Sequence, residues 1–325
     1  MPRVILVAAL LTPLGAPARA VAQQATGAFD RTLTVTGPLD VEVRSGSGSI
    51  EVRTGSADRV EIHGRVRAGD WGVFRSSSSA QDRIRRIEAS PPIEQAGNRV
   101  TVGRIDDEDL KNVSISYTVI VPPDTTLVAK TGSGSHVIEG IHGTITASSG
   151  SGSIRVRDAG GDVRTSTGSG SIVADTVAGS FSATSGSGSI DGVSVRGGIT
   201  AKSGSGDIAV SQTGRGATHA SANSGSIRLT GLRGSVIAST SSGSLRVQGE
   251  PTSDWRLSSS SGSVTVELAG KPAFALDAHS NSGKIATDYP VTVNGVTSRH
   301  ELRGSVNGGG PLLHLRTSSG GINIR

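Results

Sequence analysis

The chain has 325 residues and a formal net charge of +5, from 32 lysines and arginines against 27 aspartates and glutamates, a length that suits one large domain or two ordinary ones. Aromatic residues make up only 2% of the chain, which argues against a conventional globular core, and the lack of cysteine excludes disulfides, thiol nucleophiles and zinc–thiolate sites. The charge is mild and dispersed, so we expect no nucleic-acid partner.

Residues 1–22 have the pattern of a secretory signal peptide. The positive residue Arg3 precedes the apolar run 4–11, and the sequence Ala-Val-Ala that ends at Ala22 is a small–x–small cleavage signal. The apolar run is too short to span a bilayer. The sequence therefore predicts export with cleavage after Ala22, with cleavage after Ala20 as the alternative. The mature protein is predicted to be periplasmic, bound to the cell surface or secreted, without a transmembrane segment.

Residues 23–124 are predicted to form an N-terminal β region with an irregular insert. Alternating apolar residues such as Val41 and Val43 indicate strands, whereas residues 68–112 break that pattern. Within the insert, the sequence QDRIRRIEA at 81–89 indicates a short helix that ends before a double proline. We expect the insert to act as a cap, because the end of a stack of β-coils must be covered.

Residues 125–325 carry a repeat that predicts an all-β fold, a β-solenoid. Bulky apolar residues return every nine positions, and every second one follows a Gly/Ser run such as SGSGS. They include Ile145, Ile154, Val163, Ile172, Phe181, Ile190, Ile199 and Ile208. Each unit of roughly eighteen residues therefore forms a strand, a tight turn, a second strand and a looser turn, and stacked units share a core between two sheets. The six-residue period of a three-sided left-handed β-helix fails, because Gly160 follows Ile154 by six positions.

The turns and irregularities of this array give further expectations. The glycines of the tight turns, for example Gly168 and Gly170, can adopt positive φ angles without a steric penalty. The apolar positions slip by one residue after Val210, which a bulge or a longer turn can absorb. Between two short apolar stretches, Asn294-Gly295 indicates a hairpin excursion before one more coil at 313–324.

Three segments of the chain carry a resemblance to a known family. They are YTVIVPPDTTLVAKTGSGSHVIEG at 117–140, the SGSGSI series that follows, and GSVNGGGPLLHLRTSSGGINI at 304–324. In these segments the sequence resembles the bacterial putative-adhesin family of secreted or envelope-associated β-strand-repeat proteins, a domain of unknown function. The resemblance implies a β-solenoid fold and an envelope location, and it carries over no catalytic residues.

The sequence predicts no metal site and no cofactor. Calcium-binding β-rolls place an aspartate in each turn, where this chain has Ser153, Ser171 and Ser189, and only Asp207 supplies a carboxylate. The acidic run at 106–109 is a candidate calcium loop. We interpret it instead as a solvated loop that faces the arginines of the predicted helix.

The seven histidines do not form an HxH or HxxxH pair of the kind that holds a metal ion. His136 is unusual because it occupies a position of the apolar repeat. We expect it to pack and hydrogen-bond inside a partly open coil at the N-terminal end of the array, rather than to bind a metal or act in catalysis.

The sequence offers no catalytic residues, and we predict that the protein is not an enzyme. It has no GxSxG motif, and the outward residues of the first strand in each coil, such as Arg164 and Ser166, show neither converging carboxylates nor an unbroken threonine row. We predict an exported rod whose Gly/Ser ridge is poor in pockets and which contacts envelope polymer or another surface in adhesion or scaffolding. A carbohydrate-active β-helix enzyme and a glycan-binding module without turnover are the alternatives, and the oligomeric state stays open.

Overall fold

The computed structural model describes most of the chain: residues 25–69, 79–105, 107, 110, 113–293 and 297–325. The predicted signal peptide, three residues of the acidic run and the Asn294-Gly295 turn lie outside the described residues.

The described residues form 29 strands and one α-helix. The N-terminal elements are β1 (Ala25–Thr34), β2 (Leu39–Ser45), β3 (Ile50–Thr54), β4 (Arg59–Ala68), α1 (Ala80–Ala89), β5 (Ile93–Ala96), β6 (Arg99–Val102) and β7 (Val113–Val121). The repeating strands are β8 (Thr125–Thr131), β9 (His136–Glu139), β10 (Ile145–Ser149), β11 (Ile154–Ala159), β12 (Val163–Thr167), β13 (Ile172–Val177), β14 (Phe181–Ser185), β15 (Ile190–Val195), β16 (Ile199–Ser203), β17 (Ile208–Gln212), β18 (Thr218–Ala222), β19 (Ile227–Leu232), β20 (Val236–Thr240), β21 (Leu245–Gly249), β22 (Trp255–Ser259) and β23 (Val264–Leu268). The last elements are β24 (Phe274–Ser280), β25 (Ile285–Thr287), β26 (Thr292–Val293), β27 (Glu301–Val306), β28 (Leu312–Thr317) and β29 (Ile322–Ile324).

The predicted two-sheet β-solenoid is confirmed. A fifteen-stranded sheet, here sheet I, contains the even-numbered strands from β8 to β22, and a fourteen-stranded sheet, sheet II, contains the odd-numbered strands from β9 to β23. Each coil passes from sheet I through a tight Gly/Ser turn into sheet II and returns through a looser turn. Neighbouring coils pair in parallel and in register, with Ile154 beside Ile172 and Ile172 beside Ile190, as the repeat predicts.

The core lies between the two sheets and is filled by the inward residues of every coil. Ile154, Ile172 and Ile190 are fully buried, and so is Trp255, whose indole N–H donates to the carbonyl of Gly234 at 3.0 Å. The low aromatic content is therefore compatible with a core, because a thin two-sheet stack is filled mostly by aliphatic side chains from facing strands.

The tight-turn glycines do not use the positive φ angles that they can adopt without a steric penalty. Neither Gly168 nor Gly170 has a positive φ. A Cβ atom on Gly170 would instead lie 2.1 Å from the carbonyl oxygen of Gly152, and one on Gly168 would lie 2.4 Å from that of Gly150. These glycines are required because the backbones of successive coils stack in close contact, which leaves no room for a side chain.

The two ends of the solenoid do not follow the order of the sequence. At the N-terminal end, β2 lies between β6 and β8, and β3 lies between β7 and β9. At the other end, β28 lies between β22 and β24, and β29 lies between β23 and β25. The first and the last coil in sequence are thus both enclosed by neighbours on either side.

Antiparallel strands cover both ends. β1 pairs with β4 and β4 with β7 at the N-terminal end, where the predicted helix is confirmed as α1, with Ser79 as its N-cap. α1 packs through Ile84 and Ile87 near β1 and β4. At the far end β27 pairs antiparallel with both β24 and β26. Val293 lies opposite Gly304, so the antiparallel partner of β26 is β27 and does not follow Asn294-Gly295 directly. In the described ranges, no helix is long and apolar enough to cross a membrane.

Candidate functional site

The tight turns are held by an internal row of hydroxyl groups, which we call the hydroxyl ladder. Thr167 is typical: its Oγ1 donates to the carbonyl of Gly152 in the preceding coil at 2.9 Å and accepts from the N–H of Gly170 at 3.1 Å. The same two bonds recur at Thr131, Ser149, Ser185, Ser203, Thr240, Ser259, Thr317 and Ser280. Each hydroxyl therefore ties one coil to the next as well as its own turn.

The hydroxyl ladder has one gap, at Ala222, which pairs with Ser203 in the neighbouring coil. Sequence reasoning missed the ladder because serine and threonine in Gly-rich runs were read as exposed turn residues. The signal was present: a serine or threonine stands three positions before a glycine in nearly every tight turn. Since these side chains are buried, they stabilise the fold and do not offer a binding surface.

An open groove of about 540 Å³ lies on the outer face of sheet II and crosses five coils. Its floor is a row of outward residues that are paired in register from strand to strand, namely Asp191, Ala209, Arg228, Arg246 and Thr265. The small side chain of Ala209 leaves the depression between the longer side chains on either side. Five tight-turn residues form one rim: Ser189, Asp207, Ser226, Ser244 and Ser263.

The charged groups of the groove differ in how far they are engaged by the protein. Arg246 Nε lies 3.7 Å from Glu267 Oε1, a carboxylate that also pairs with Arg325. Among the described residues, no carboxylate lies within ion-pair distance of Arg228. Asp207 Oδ1 accepts the backbone N–H of Ser226 at 2.8 Å, so this carboxylate is partly satisfied by the next coil.

The positive charge is concentrated in one stretch of the chain and is not evenly dispersed along the sequence. Residues 196–256 contain seven lysines and arginines against three carboxylates, a net +4 of the chain's +5. Besides the two arginines of the groove, Arg196, Arg215 and Arg233 are exposed in the looser turns of three successive coils. Arg233 lies 3.9 Å from Glu250. The groove therefore sits in the most positive part of the solenoid, where an anionic ligand is attracted.

His136 packs and hydrogen-bonds in the core, as the sequence predicts, but not in a partly open end coil. It lies between Ile50 and Ile154 in sheet II and is 1% exposed, because the coil of β2 and β3 covers it. Its Nε2 donates to the carbonyl of Ser148 at 2.9 Å, and its Nδ1 has no partner among the described residues. Burial lowers the pKa of His136, although the bond to Ser148 opposes that shift.

A second cluster of ionisable groups lies on sheet I at the C-terminal end, around Asp277. Its carboxylate is contacted by Arg303 at 3.3 Å, Arg316 at 2.9 Å and His314 Nδ1 at 3.2 Å. The other ring nitrogen of His314 accepts from Arg316 Nε at 3.2 Å. Because both nitrogens of the histidine and both oxygens of the carboxylate are engaged, the cluster ties β24, β27 and β28 together and presents no free base.

The remaining candidate residues are also placed by the structure. Ser153, Ser171 and Ser189 lie on the outer side of the tight turns. Of the acidic run, only Asp107 is described, and it pairs with Arg86 of α1 at 2.5 Å, as the solvated-loop interpretation expects. In the part of the chain that the structure describes, no three His, Cys, Asp or Glu side chains come together as a metal-binding group.

Comparison with known proteins assigns a family to most of the chain. Residues 99–325 match a family model described as Toastrack DUF4097. Two solved structures are similar: a putative cell adhesion protein from Clostridium sporogenes, at 10% identity and a TM-score of 0.25 over 92% of this chain and 99% of that one, and a putative adhesin from Bacteroides fragilis, at 12% identity and a TM-score of 0.32 over 92% of this chain and 97% of that one. No curated protein matches the chain.

Proposed function

Because the chain belongs to the Toastrack DUF4097 family, a putative-adhesin family of unknown function, we propose that it acts by contact alone, as an exported rod that binds envelope polymer or another surface without catalysis. The observation that carries this proposal is the shape of the groove on sheet II. It runs across five coils, and Arg228 and Arg246 on its floor and Ser244 on its rim are exposed. Enzyme sites for small substrates usually enclose most of the ligand in a pocket, whereas an open groove suits an extended one.

The titratable groups with shifted pKa values support a non-catalytic role, because active sites usually gather such groups in one cleft. Burial raises the pKa of Tyr117 and lowers that of His136, and both side chains lie in the core. Burial raises the pKa of Glu42, but hydrogen bonds and attraction from Arg44 and Lys130 outweigh it and leave the pKa below its ordinary value. Burial and the charge of Asp288 raise the pKa of Tyr289. These four groups are scattered, and none lines the groove.

The rigidity of the array also supports a contact function. Parallel pairing and the hydroxyl ladder hold the outward rows at the strand spacing of roughly 4.8 Å. A surface that is already ordered loses little conformational entropy when it binds, so many weak contacts along its length can add up to stable attachment.

The proposal is tested with the purified full-length protein, an envelope fraction and a panel of polysaccharides. We expect the protein to sediment with the envelope fraction at low salt and to be released at high salt, since screening weakens contacts between exposed charges. We expect no depolymerisation of any polysaccharide. Depolymerisation that disappears when one acidic residue is replaced would establish an enzyme instead, and failure to bind envelope material would remove the contact role.

A further inference from the structure

We propose that the groove on the outer face of sheet II binds a linear acidic polysaccharide, a polymer of sugars that carry carboxylates, with its length along the solenoid axis. This inference rests on the contact function proposed above and names the ligand class and the residues that bind it. Arg228 and Arg246 are the anion-binding residues, and the rim serines with Asp207 are the hydroxyl-binding residues.

The arginines supply the attraction for carboxylates. Arg228 and Arg246 lie side by side on β19 and β21, are exposed, and stand on neighbouring strands roughly 4.8 Å apart. A guanidinium group can form two parallel hydrogen bonds with one carboxylate, which gives geometric specificity as well as energy. Arg228 has no carboxylate partner among the described residues, so an external carboxylate can take that place without displacing an internal one.

The rest of the groove is suited to hydroxyl groups. Ser189, Ser226, Ser244 and Ser263 repeat along one rim, and each hydroxyl can both donate and accept a hydrogen bond. Asp191 and Asp207 at one end accept hydrogen bonds but repel anions. A ligand that fits the whole groove therefore carries many hydroxyls and only some negative charges, which describes an acidic polysaccharide better than a polyphosphate or an anionic lipid surface.

The geometry of the floor sets the orientation of the ligand. The five floor residues come from five successive coils, so the floor extends for roughly 20 Å parallel to the solenoid axis. Across the axis, the row is one residue wide. An extended single chain fits such a channel, and a broad planar surface cannot reach the floor at Ala209.

Calorimetry with oligomers of polygalacturonate tests the inference, with neutral dextran and polyphosphate as comparison ligands. We expect salt-sensitive binding of polygalacturonate and none of dextran. The double variant R228Q/R246Q is expected to bind at least about tenfold more weakly, since each lost charged contact is worth on the order of 1 kcal/mol or more. The matched control R155Q/R157Q removes the same charge from exposed positions of β11 on the same face, outside the groove, and is expected to keep the wild-type affinity.

A second pair of variants separates the groove from charge alone. Ala209→Tyr fills the floor without changing the charge and is expected to abolish binding, whereas Val137→Tyr, at the equivalent position of β9 outside the groove, is expected to have no effect. Unfolding curves are measured for every variant to check that it remains folded.

The outcomes distinguish this inference from the proposed function. If the protein binds the envelope fraction but the groove variants bind polygalacturonate like the wild type, the groove assignment is overturned and the contact function stands. Equal or tighter binding of polyphosphate overturns the ligand class. If the wild-type protein binds no envelope material and no polysaccharide, both proposals fall.

Discussion

Successive coils stack closely at both of their turns, but the two turns differ in how this contact is made. In the tight turns, one or two glycines stack on glycines of the preceding coil and a buried hydroxyl bonds across the interface. The looser turns also stack a glycine on the preceding coil, for example Gly179 on Gly161. Just before the looser turns, Asp158, Thr176 and Ser194 at the ends of β11, β13 and β15 adopt left-handed conformations, with φ between 50° and 58°. Close contact and the hydroxyl ladder thus fix most positions of the tight turn, whereas the looser turn keeps its stacked glycine and is otherwise free to carry charges such as Arg196.

The largest effect is expected from adding a side chain to a stacked tight turn. A Cβ atom at Gly132 would lie 2.4 Å from the carbonyl oxygen of Gly46, so Gly132→Ala must push two coils apart, and we expect a loss of about 3 kcal/mol in the free energy of unfolding. Gly46→Ala is the matched control: it occupies the same place in the turn of the first coil, where a Cβ meets nothing within 4 Å. Equal losses in denaturant unfolding would show that stacking is not the reason for glycine.

The next largest effect is expected from removing one hydroxyl of the ladder. Thr167→Val keeps the shape of the side chain but breaks the bonds to Gly152 and Gly170, and we expect unfolding to become easier by about 2 kcal/mol. Thr184→Val, on the exposed face of β14, is the control and should change stability by less than about 0.5 kcal/mol.

The gap in the ladder allows the converse test. Ala222→Ser restores a hydroxyl at the position paired with Ser203, and we expect a gain of about 1 kcal/mol in the free energy of unfolding. A loss of stability on this change would mean that the ladder does not continue through the coil of β18.

The residue that follows one tight turn, His136, makes stability sensitive to acid. Because burial holds its folded-state pKa below the ordinary value of 6.5, the unfolded chain binds the proton first as the pH falls. The free energy of unfolding should therefore decrease as the pH is lowered through about 6.5, and the loss should continue until the folded-state pKa is reached.

The variant His136→Ile, which matches its neighbours Ile50 and Ile154, should flatten that decrease in urea unfolding measured at several pH values. His219→Gln, on the exposed face of sheet I, is the control that should retain the wild-type slope. A wild-type slope in His136→Ile would assign the acid sensitivity to other groups.

The smallest effect is expected at the end of a strand of sheet II, just before a looser turn. Thr176 has a φ of 58°, a conformation that is costly for a β-branched residue and easier for asparagine, so Thr176→Asn should stabilise the protein by up to about 1 kcal/mol. Thr184→Asn, in ordinary strand conformation, should be slightly destabilising. A loss of melting temperature in Thr176→Asn would show that the threonine makes a contact that outweighs its strain.

The sequence was sufficient to predict the two sheets, because a buried side chain on each strand imposes a nine-residue spacing that Ile154, Val163 and Ile172 display. It could not predict the order of the end coils. The coil of β2 and β3 has inward residues at the same spacing as its neighbours, so the repeat does not show which coils pair. In the structure, antiparallel strands such as β4 mark where the stack of coils ends.

The groove could not be predicted either, for a different reason. Its floor depends on which outward residues become neighbours, and outward residues follow no pattern. The nineteen-residue step from Ile208 to Ile227 is the irregularity that sets Arg228 beside Ala209. The sequence-based prediction also rested only on the outward residues of sheet I, a mixed polar set that includes Arg164 and Ser166, and not on those of sheet II.

The interleaved ends have a mechanical consequence for the contact function that we propose. A coil at the open end of a stack can be peeled away, since its hydrogen bonds break one after another. β29 is bonded along both edges, to β23 and to β25, so a pull on it loads two rows of bonds in shear at the same moment. Tension is then shared by the last three coils and is not concentrated on one strand. The force needed to detach the last strand should therefore be higher than in a simple stack, whose end strand is bonded along one edge only.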